Sequence, residues 1–193
     1  LRTQAQILIA TGGMHTTRDG AHILQCSQLP ADVERNQVLL PYVPNAVENV
    51  APIAASAGIS PITFSCPGGA PRRLQAFSNH GFQVGSISLL QWSAPRRLKT
   101  PYRVQVLTSD ADWEQATTLR FCRHAYGMTR QEFKDFTRSR MSIYRRACDD
   151  MIGQWFGVFE GPTLAAVCGL MYPDGRLARF RLVLTHPRSR KRG

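Results

Sequence analysis

The chain has 193 residues, 43% hydrophobic and 19% charged, which places it in the globular class with room for one ordinary domain or two small ones. No run reaches the roughly 18 apolar residues of a membrane-spanning helix, and Leu1 to Gln6 lacks the apolar core of a signal peptide, so a cytoplasmic protein with no membrane partner is expected. A formal charge of +11 and a pI near 10.2 invite a polyanion as partner, whether nucleic acid, a membrane surface or a phosphate-bearing cofactor, and charge alone does not choose among these and a solvated basic face. Five widely spaced cysteines, Cys26, Cys66, Cys122, Cys148 and Cys168, form no C-x-x-C pair and no zinc pattern, so reduced, mostly buried thiols are expected and no metal.

Along the chain, Gln6 to Ala10, Ala21 to Gln25 and Gln37 to Val43 read as strands. Ala46 to Ala57 reads as a helix that Pro52 either kinks or begins, with Gly58 as its stop. Ile59 to Ser65 reads as a strand, Ala70 to His80 as a helix closed by Gly81, and Phe82 to Trp92 as another strand. The proline-bounded basic stretch 93–101 reads as a linker, which puts one unit at 1–92 and a second at 102–193.

Tyr102 to Leu107 alternates as a strand does, with Tyr102, Val104 and Val106 on one face. Thr108, Ser109 and Asp110 offer N-cap side chains to a helix reaching about His124, and Thr129 with Glu132 forms a capping box for a second helix. That helix carries the stripe Phe133, Phe136, Ile143, Tyr144, Ala147 and Met151, with its arginines left in water. Gln154 to Phe159, Leu164 to Tyr172 and Arg176 to Thr185 then read as a three-strand antiparallel meander turned at Glu160 to Thr163 and Pro173 to Gly175. The fold class is therefore α+β.

After the last strand comes His186 to Gly193, with Arg188, Arg190, Lys191 and Arg192 ahead of the glycine. A strand leading into such a loop presents unpaired backbone N–H groups to a phosphate, and glycine permits its close approach. Because the first residue is not methionine and the last interrupts this loop, the chain reads as a fragment.

Phe156 to Gly161, Leu164 to Leu170 and Leu177 to Gly193 together resemble the GNAT superfamily of N-acetyltransferases, whose last meander strand runs into the loop [RQ]-x-x-G-x-[GA]; Arg190, Lys191, Arg192 and Gly193 match its first four positions. The resemblance covers 102–193 and implies a GNAT-like mixed sheet flanked by helices, incomplete at its C-terminal end. It implies acetyl-CoA as co-substrate, backbone contacts to the pantetheine arm from Val183, Leu184 and Thr185, pyrophosphate binding by Arg190 to Gly193, and a further contact from Arg188. The implied reaction is direct attack of a small-molecule or peptide amine on the thioester, without a covalent enzyme intermediate. By the same resemblance the acid for the leaving thiolate lies beyond Gly193, so no catalytic residue is named and these 193 residues alone are expected to have little activity.

Cys168 reads as core, Trp155 as a core or groove aromatic, Trp113 as a core residue at the place where the resemblance implies an acceptor groove, Glu160 as a hairpin-turn residue and His186 as a solvent-facing loop residue. Ala70 to Val84 is similar to the closing helix and strand of the same fold, which implies a reduced, non-catalytic GNAT-like unit ahead of the catalytic one. The rival readings are a basic nucleic-acid-binding or polyanion-binding module, with the helix arginines and the tail forming one stripe, and a non-catalytic scaffold that binds the cofactor.

Overall fold

A computed structural model describes residues 2–18, 20–42, 48, 50–58, 63–66, 71–85, 102–122, 127–173 and 178–191. The expected linker at 93–101 and the final pair Arg192 and Gly193 lie outside them. The described elements form an α+β structure with two four-stranded sheets.

The first segment is a helix, α1 (Arg2–Ala10), where the apolar run from Gln6 reads locally as a strand. A short apolar run fits either state, and burial decides it. Gln4, Ala5, Ile7 and Leu8 are buried while Ile9 is exposed, a helical rather than alternating pattern. Next come β1 (Met14–Arg18), β2 (Ala21–Gln25) and β3 (Gln37–Leu39), an antiparallel meander whose first strand carries no apolar alternation. Helix α2 (Ala51–Ala57) has Pro52 in its first turn, so the proline starts the helix, and Gly58 closes it at φ 60°. It leads to β4 (Phe64–Ser65), which pairs parallel with β3 and is two residues long where a strand from Ile59 is expected; 59–62 lie outside the described residues. Helix α3 (Pro71–Asn79) follows with Gly81 at φ 85°, but 82–85 are not a strand, and 86–92 lie outside the described residues.

The second sheet is β5 (Arg103–Val106), β6 (Gly153–Glu160), β7 (Thr163–Met171) and β8 (Arg179–Thr185), antiparallel throughout and ordered as numbered. Between β5 and β6 run α4 (Asp110–Phe121) and α5 (Arg130–Asp149), each opened by a reciprocal capping box: Ser109 with Asp112, and Thr129 with Glu132. Met151, expected on the α5 stripe, lies beyond the helix at φ 59° and is 76% exposed, while Thr137 and Met141 are buried in the stripe instead.

The core of this sheet is aromatic. Trp155 is fully buried, its ring centroid 4.9 Å from that of Tyr144 on α5 and 5.8 Å from that of Trp113 on α4. Gly169 pairs with Trp155 across β6 and β7, and a Cβ there would stand 2.5 Å from the indole ring. The glycine is what lets the indole lie flat on the sheet.

Two further clusters join the halves. Ala5 and Leu8 of α1 pack with Leu24, Cys26, Leu29 and Leu39 of the first sheet region and with Ile143 of α5, and Ile7 packs with Ala147 and Met171. Helix α1 is thus wedged between the first sheet and the α5–β7 layer. Replacing Gly169 with alanine should cost about 2 kcal/mol by overpacking and lower the melting temperature by roughly 4–8 °C; an unchanged thermal melt would refute the close approach.

Candidate functional site

The strand expected to meet the cofactor is irregular. Between the pairs Val167 with Leu184 and Gly169 with Arg181, the single residue Cys168 of β7 faces two of β8, Leu182 and Val183, so β8 carries a bulge, and Leu182 takes φ 49° there. An extra residue breaks the inside–outside alternation. Arg181 and Leu184 therefore both point inward, at 6% and 5% exposure, while Phe180 and Val183 are 68% and 65% exposed.

The His186 amide donates to Ala165 O at 2.7 Å, which makes that pair hydrogen-bonded and, two residues back, Leu184 with Val167 as well. The peptide groups of Thr185 face away from β7, as does the Val183 carbonyl, which shares its peptide plane with the Leu184 amide. Of the three residues expected to contact a pantetheine arm, Val183 and Thr185 thus carry outward backbone groups, and Leu184 belongs to the ladder and the core.

Beyond Thr185 the chain makes one tight turn, Pro187–Ser189. His186 holds it: its Nδ1 accepts from the Arg188 amide at 3.2 Å and its carbonyl from the Ser189 amide at 2.9 Å. The imidazole is half-buried rather than turned to solvent, and it borders an open cleft of about 390 Å³ lined by Glu114, Gln115 and Thr118 of α4 and by Thr163 and Leu164. The Ser189 hydroxyl lies 3.5 Å from Glu160, which ties the turn to the β6–β7 hairpin, and Arg190 Nε donates to Thr185 O at 3.3 Å. Arg188, Arg190 and Lys191 are exposed, and Lys191 adopts φ 61°.

A second constellation surrounds the bulge. Arg120 of α4, Arg140 of α5, and Arg179 and Arg181 of β8 converge with Glu34 on a cavity of about 260 Å³ floored by Leu182, Val183 and Leu184. Glu34 Oε2 accepts from Arg140 Nη2 at 2.9 Å and from Arg181 Nη1 at 2.8 Å. Arg181 Nη2 donates to Gln4 Oε1 at 2.8 Å, and Arg140 Nε donates to the Tyr144 hydroxyl at 2.9 Å while standing 3.3 Å from buried Asp32. Arg140 is the exception among the α5 arginines expected in water: its side chain is only 13% exposed.

Burial would push the Glu34 carboxyl up, but the guanidiniums of Arg140, Arg181 and Arg179 overcome it and hold the group below its usual 4.5. Burial works against the Arg140 cation too, and is outweighed by Tyr144, Asp32 and Glu34. At Arg179, burial and then the neighbouring Arg181 both disfavour the charge.

Neither Glu34 nor Arg140 stands out in the sequence, since the pair is 106 residues apart. The available signal was the alternation of Arg179 and Arg181 on an otherwise apolar strand. Burial pushes up the thiols of Cys66, Cys148 (to about 11) and Cys168, so none of these three is poised as a thiolate. Cys26 is buried and Cys122 exposed, and all five are free. Among the described residues, no group of three or more His, Cys, Asp or Glu could hold a metal ion, and no helix is long and apolar enough to cross a membrane.

No family model matches the chain, and no curated protein matches it. A solved structure does: the crystal structure of a functionally unknown conserved protein from Staphylococcus epidermidis aligns with a TM-score of 0.66 at 9% identity, covering 94% of this chain and 75% of that one. At that identity the likeness is one of fold, and its coverage takes in both sheets.

Because Glu34 releases its proton more readily when folded, its contribution to stability is complete above about pH 4.5 and is lost as the pH falls through the lower folded value. Glu34→Gln lacks this component. Urea unfolding between about pH 7 and pH 3 should show the wild-type chain losing its advantage over Glu34→Gln on acidification, and parallel pH profiles would refute the pairing.

Proposed function

We propose that the chain is a GNAT-type N-acetyltransferase unit that binds acetyl-CoA along β8 and the loop after it and presents the acetyl group to an amine. The observation that carries this reading is the bulged edge of β8, where the Val183 carbonyl and the Thr185 peptide groups face outward immediately before an arginine-rich turn.

The element order supports it. Strand β5, two capped helices and the antiparallel meander β6–β7–β8 follow the order that the sequence resemblance implies for the front of such a domain. The first half repeats part of that order, with helix α1 leading into the meander β1–β2–β3, then α2 and a strand parallel to β3. A reduced GNAT-like unit ahead of the second one fits this repeat, with the boundary in 93–101.

The residues fit the group they are proposed to hold. Outward peptide N–H and C=O groups on an edge strand suit an amide-bearing arm, as an added strand would. Arg188, Arg190, Lys191 and Arg192 would supply charge to the pyrophosphate, and Gly193 would let it approach the backbone. When bound, acetyl-CoA supplies the activated acyl group. The chain's part is to fix the thioester beside the amine and shield it from water, because two oriented reactants need no covalent intermediate. The raised thiol pKa values of Cys148 and Cys168 agree with a route that uses no enzyme nucleophile.

The nucleic-acid alternative loses ground at α5. Arg138 and Arg145 are paired with Asp135 and Asp110, and Arg140 with Asp32 and Glu34, so these three are not a free stripe for a phosphate backbone. A cytoplasmic location goes with this proposal as the place where acetyl-CoA is met.

Calorimetric titration with acetyl-CoA decides between the two. Binding should be saturable; Arg190→Ala should weaken it about tenfold, the worth of one charge-assisted contact, and Gly193→Val should weaken it by blocking the close approach to the backbone. A steeply salt-dependent affinity for DNA with no acetyl-CoA binding would overturn the proposal.

A further inference from the structure

We infer that Gln4 and Glu34, contributed by the first half of the chain, are positioning residues for β8: they hold Arg181 inward and so fix the bulge that aims the strand's outer edge and the turn after it. That this edge carries acetyl-CoA rests on the proposal above, whereas the coupling between the halves stands on its own geometry.

Two arrangements are open to the strand. In the one observed, Arg181 stands opposite Gly169 and Leu184 opposite Val167, and Leu182 between them takes φ 49°. Without the bulge, and with Leu184 in place, Leu182 would stand opposite Gly169 on the core face and Arg181 would turn outward to water. Leu182 already packs against the core cluster, so its side chain and the strain of a left-handed backbone both favour the regular strand. Opposing them are the two acceptors offered to Arg181: Glu34 Oε2, 2.8 Å from Nη1, and Gln4 Oε1, 2.8 Å from Nη2. Both belong to the first half. Among the described residues the second half offers Arg181 no carboxylate within ion-pair distance.

The two acceptors are held in place by the first half's own hydrogen bonds. The Glu34 amide donates to Asp32 Oδ1 at 3.1 Å, and its carbonyl accepts from Gln4 Nε2 and Gln37 Nε2, each at 2.6 Å. Gln4 is thereby set with its nitrogen on Glu34 and its oxygen on Arg181, and Gln37 is itself held by the Ser65 hydroxyl at 2.8 Å. Beside them the Asn36 side chain accepts from the Cys26 amide and donates to the carbonyls of Leu29 and Asp32. A segment so fixed presents its carboxylate without the entropy cost of ordering a free loop. Fastening the halves does not require this, because the apolar contacts of α1 with α5 and β7 already do so. A buried guanidinium on the strand that bulges is the costly choice, and it acts on that strand's register.

A bulge bends its strand and increases the local twist. The first half therefore sets the direction in which the Val183 carbonyl, the Thr185 peptide groups and the turn Pro187–Ser189 leave the rest of β8.

Backbone NMR of the whole chain reads the two arrangements, because the Cα and Cβ chemical shifts of Leu182 report its backbone angles. In Gln4→Leu and in Glu34→Ala these shifts should move toward strand values, while those of Trp155 and Gly157 on β6 stay where they are. Lower overall stability does not move a native-state shift, so the readout separates positioning from simple support. Glu34 is half-exposed, and Glu34→Ala decides the matter alone if Gln4→Leu fails to fold. Unchanged Leu182 shifts, or changes spread equally over β6 and β7, overturn the inference. Acetyl-CoA titrated calorimetrically should bind the same variants about tenfold more weakly, the loss expected when roughly one molecule in ten keeps the bulged strand. Wild-type affinity in a variant whose Leu182 shifts have moved also overturns the positioning role. Failure of the wild-type chain to bind acetyl-CoA removes the enzyme reading, and the Leu182 shifts still decide the coupling.

Discussion

A guanidinium that is 6% exposed stays charged only if the protein supplies what water would have, and Arg181 draws those groups from across the chain. Glu34 takes one terminal nitrogen and Gln4, 177 residues away in sequence, takes the other. Through Glu34 the network continues to Arg140, and from there to Asp32 and the Tyr144 hydroxyl. The net energy of such a buried network is small, because desolvation consumes most of the attraction. What it imposes is geometry: α1, the segment around Glu34, α5 and β8 are held in one register. The association energy comes from the apolar contacts beside it, Leu8 with Ile143 and Ile7 with Ala147 and Met171, each side chain worth about 1.5–3 kcal/mol when fully buried.

The same inward arginine explains the strand. Leu184 belongs to the core under Trp155, while Arg181 must reach Gln4 and Glu34, and the two stand three positions apart where strict alternation puts same-face residues an even number apart. The bulge absorbs the odd residue, and Leu182 accepts a left-handed backbone at a cost of about 1–2 kcal/mol. Packing of the Leu182 side chain against the core offsets part of that cost. The outcome is an edge that a regular strand would not offer, with the Val183 side chain 65% exposed next to a charged cavity.

The legible parts of this fold were those whose cause is local. Ser109 with Asp112 and Thr129 with Glu132 mark helix starts because the hydrogen bonds that make them span three residues. The meander β6–β7–β8 was readable from its alternation and turn residues, and so was the basic turn after it. Segments whose state is set from a distance were misread. The run Gln6 to Ala10 is helical because Ile7 and Leu8 face α5 and the first sheet, which its own residues cannot indicate. Strand β1, Met14-His15-Thr16-Thr17-Arg18, has no apolar alternation because it is largely exposed, and pairing with β2 alone makes it a strand. Of the candidate site, the backbone of Val183 and Thr185 and the arginines of the turn were within reach of sequence reasoning. The cavity was not, since its anionic half, Glu34, lies in the other half of the chain.

The surplus charge of +11 has a spatial logic once the pairs are removed. Along α5 three arginines are answered by carboxylates, so the helix that looks most basic in sequence is not where an anion gains most. Further cations stand at the two ends of β8, at Arg179 beside the cavity and at Arg188, Arg190 and Lys191 in the turn. Between these ends lies the bulge, where the strand breaks its inside–outside alternation. Exposed cations at the ends and outward peptide groups near the bulge are separate features, and one seven-residue strand with a single extra residue carries both.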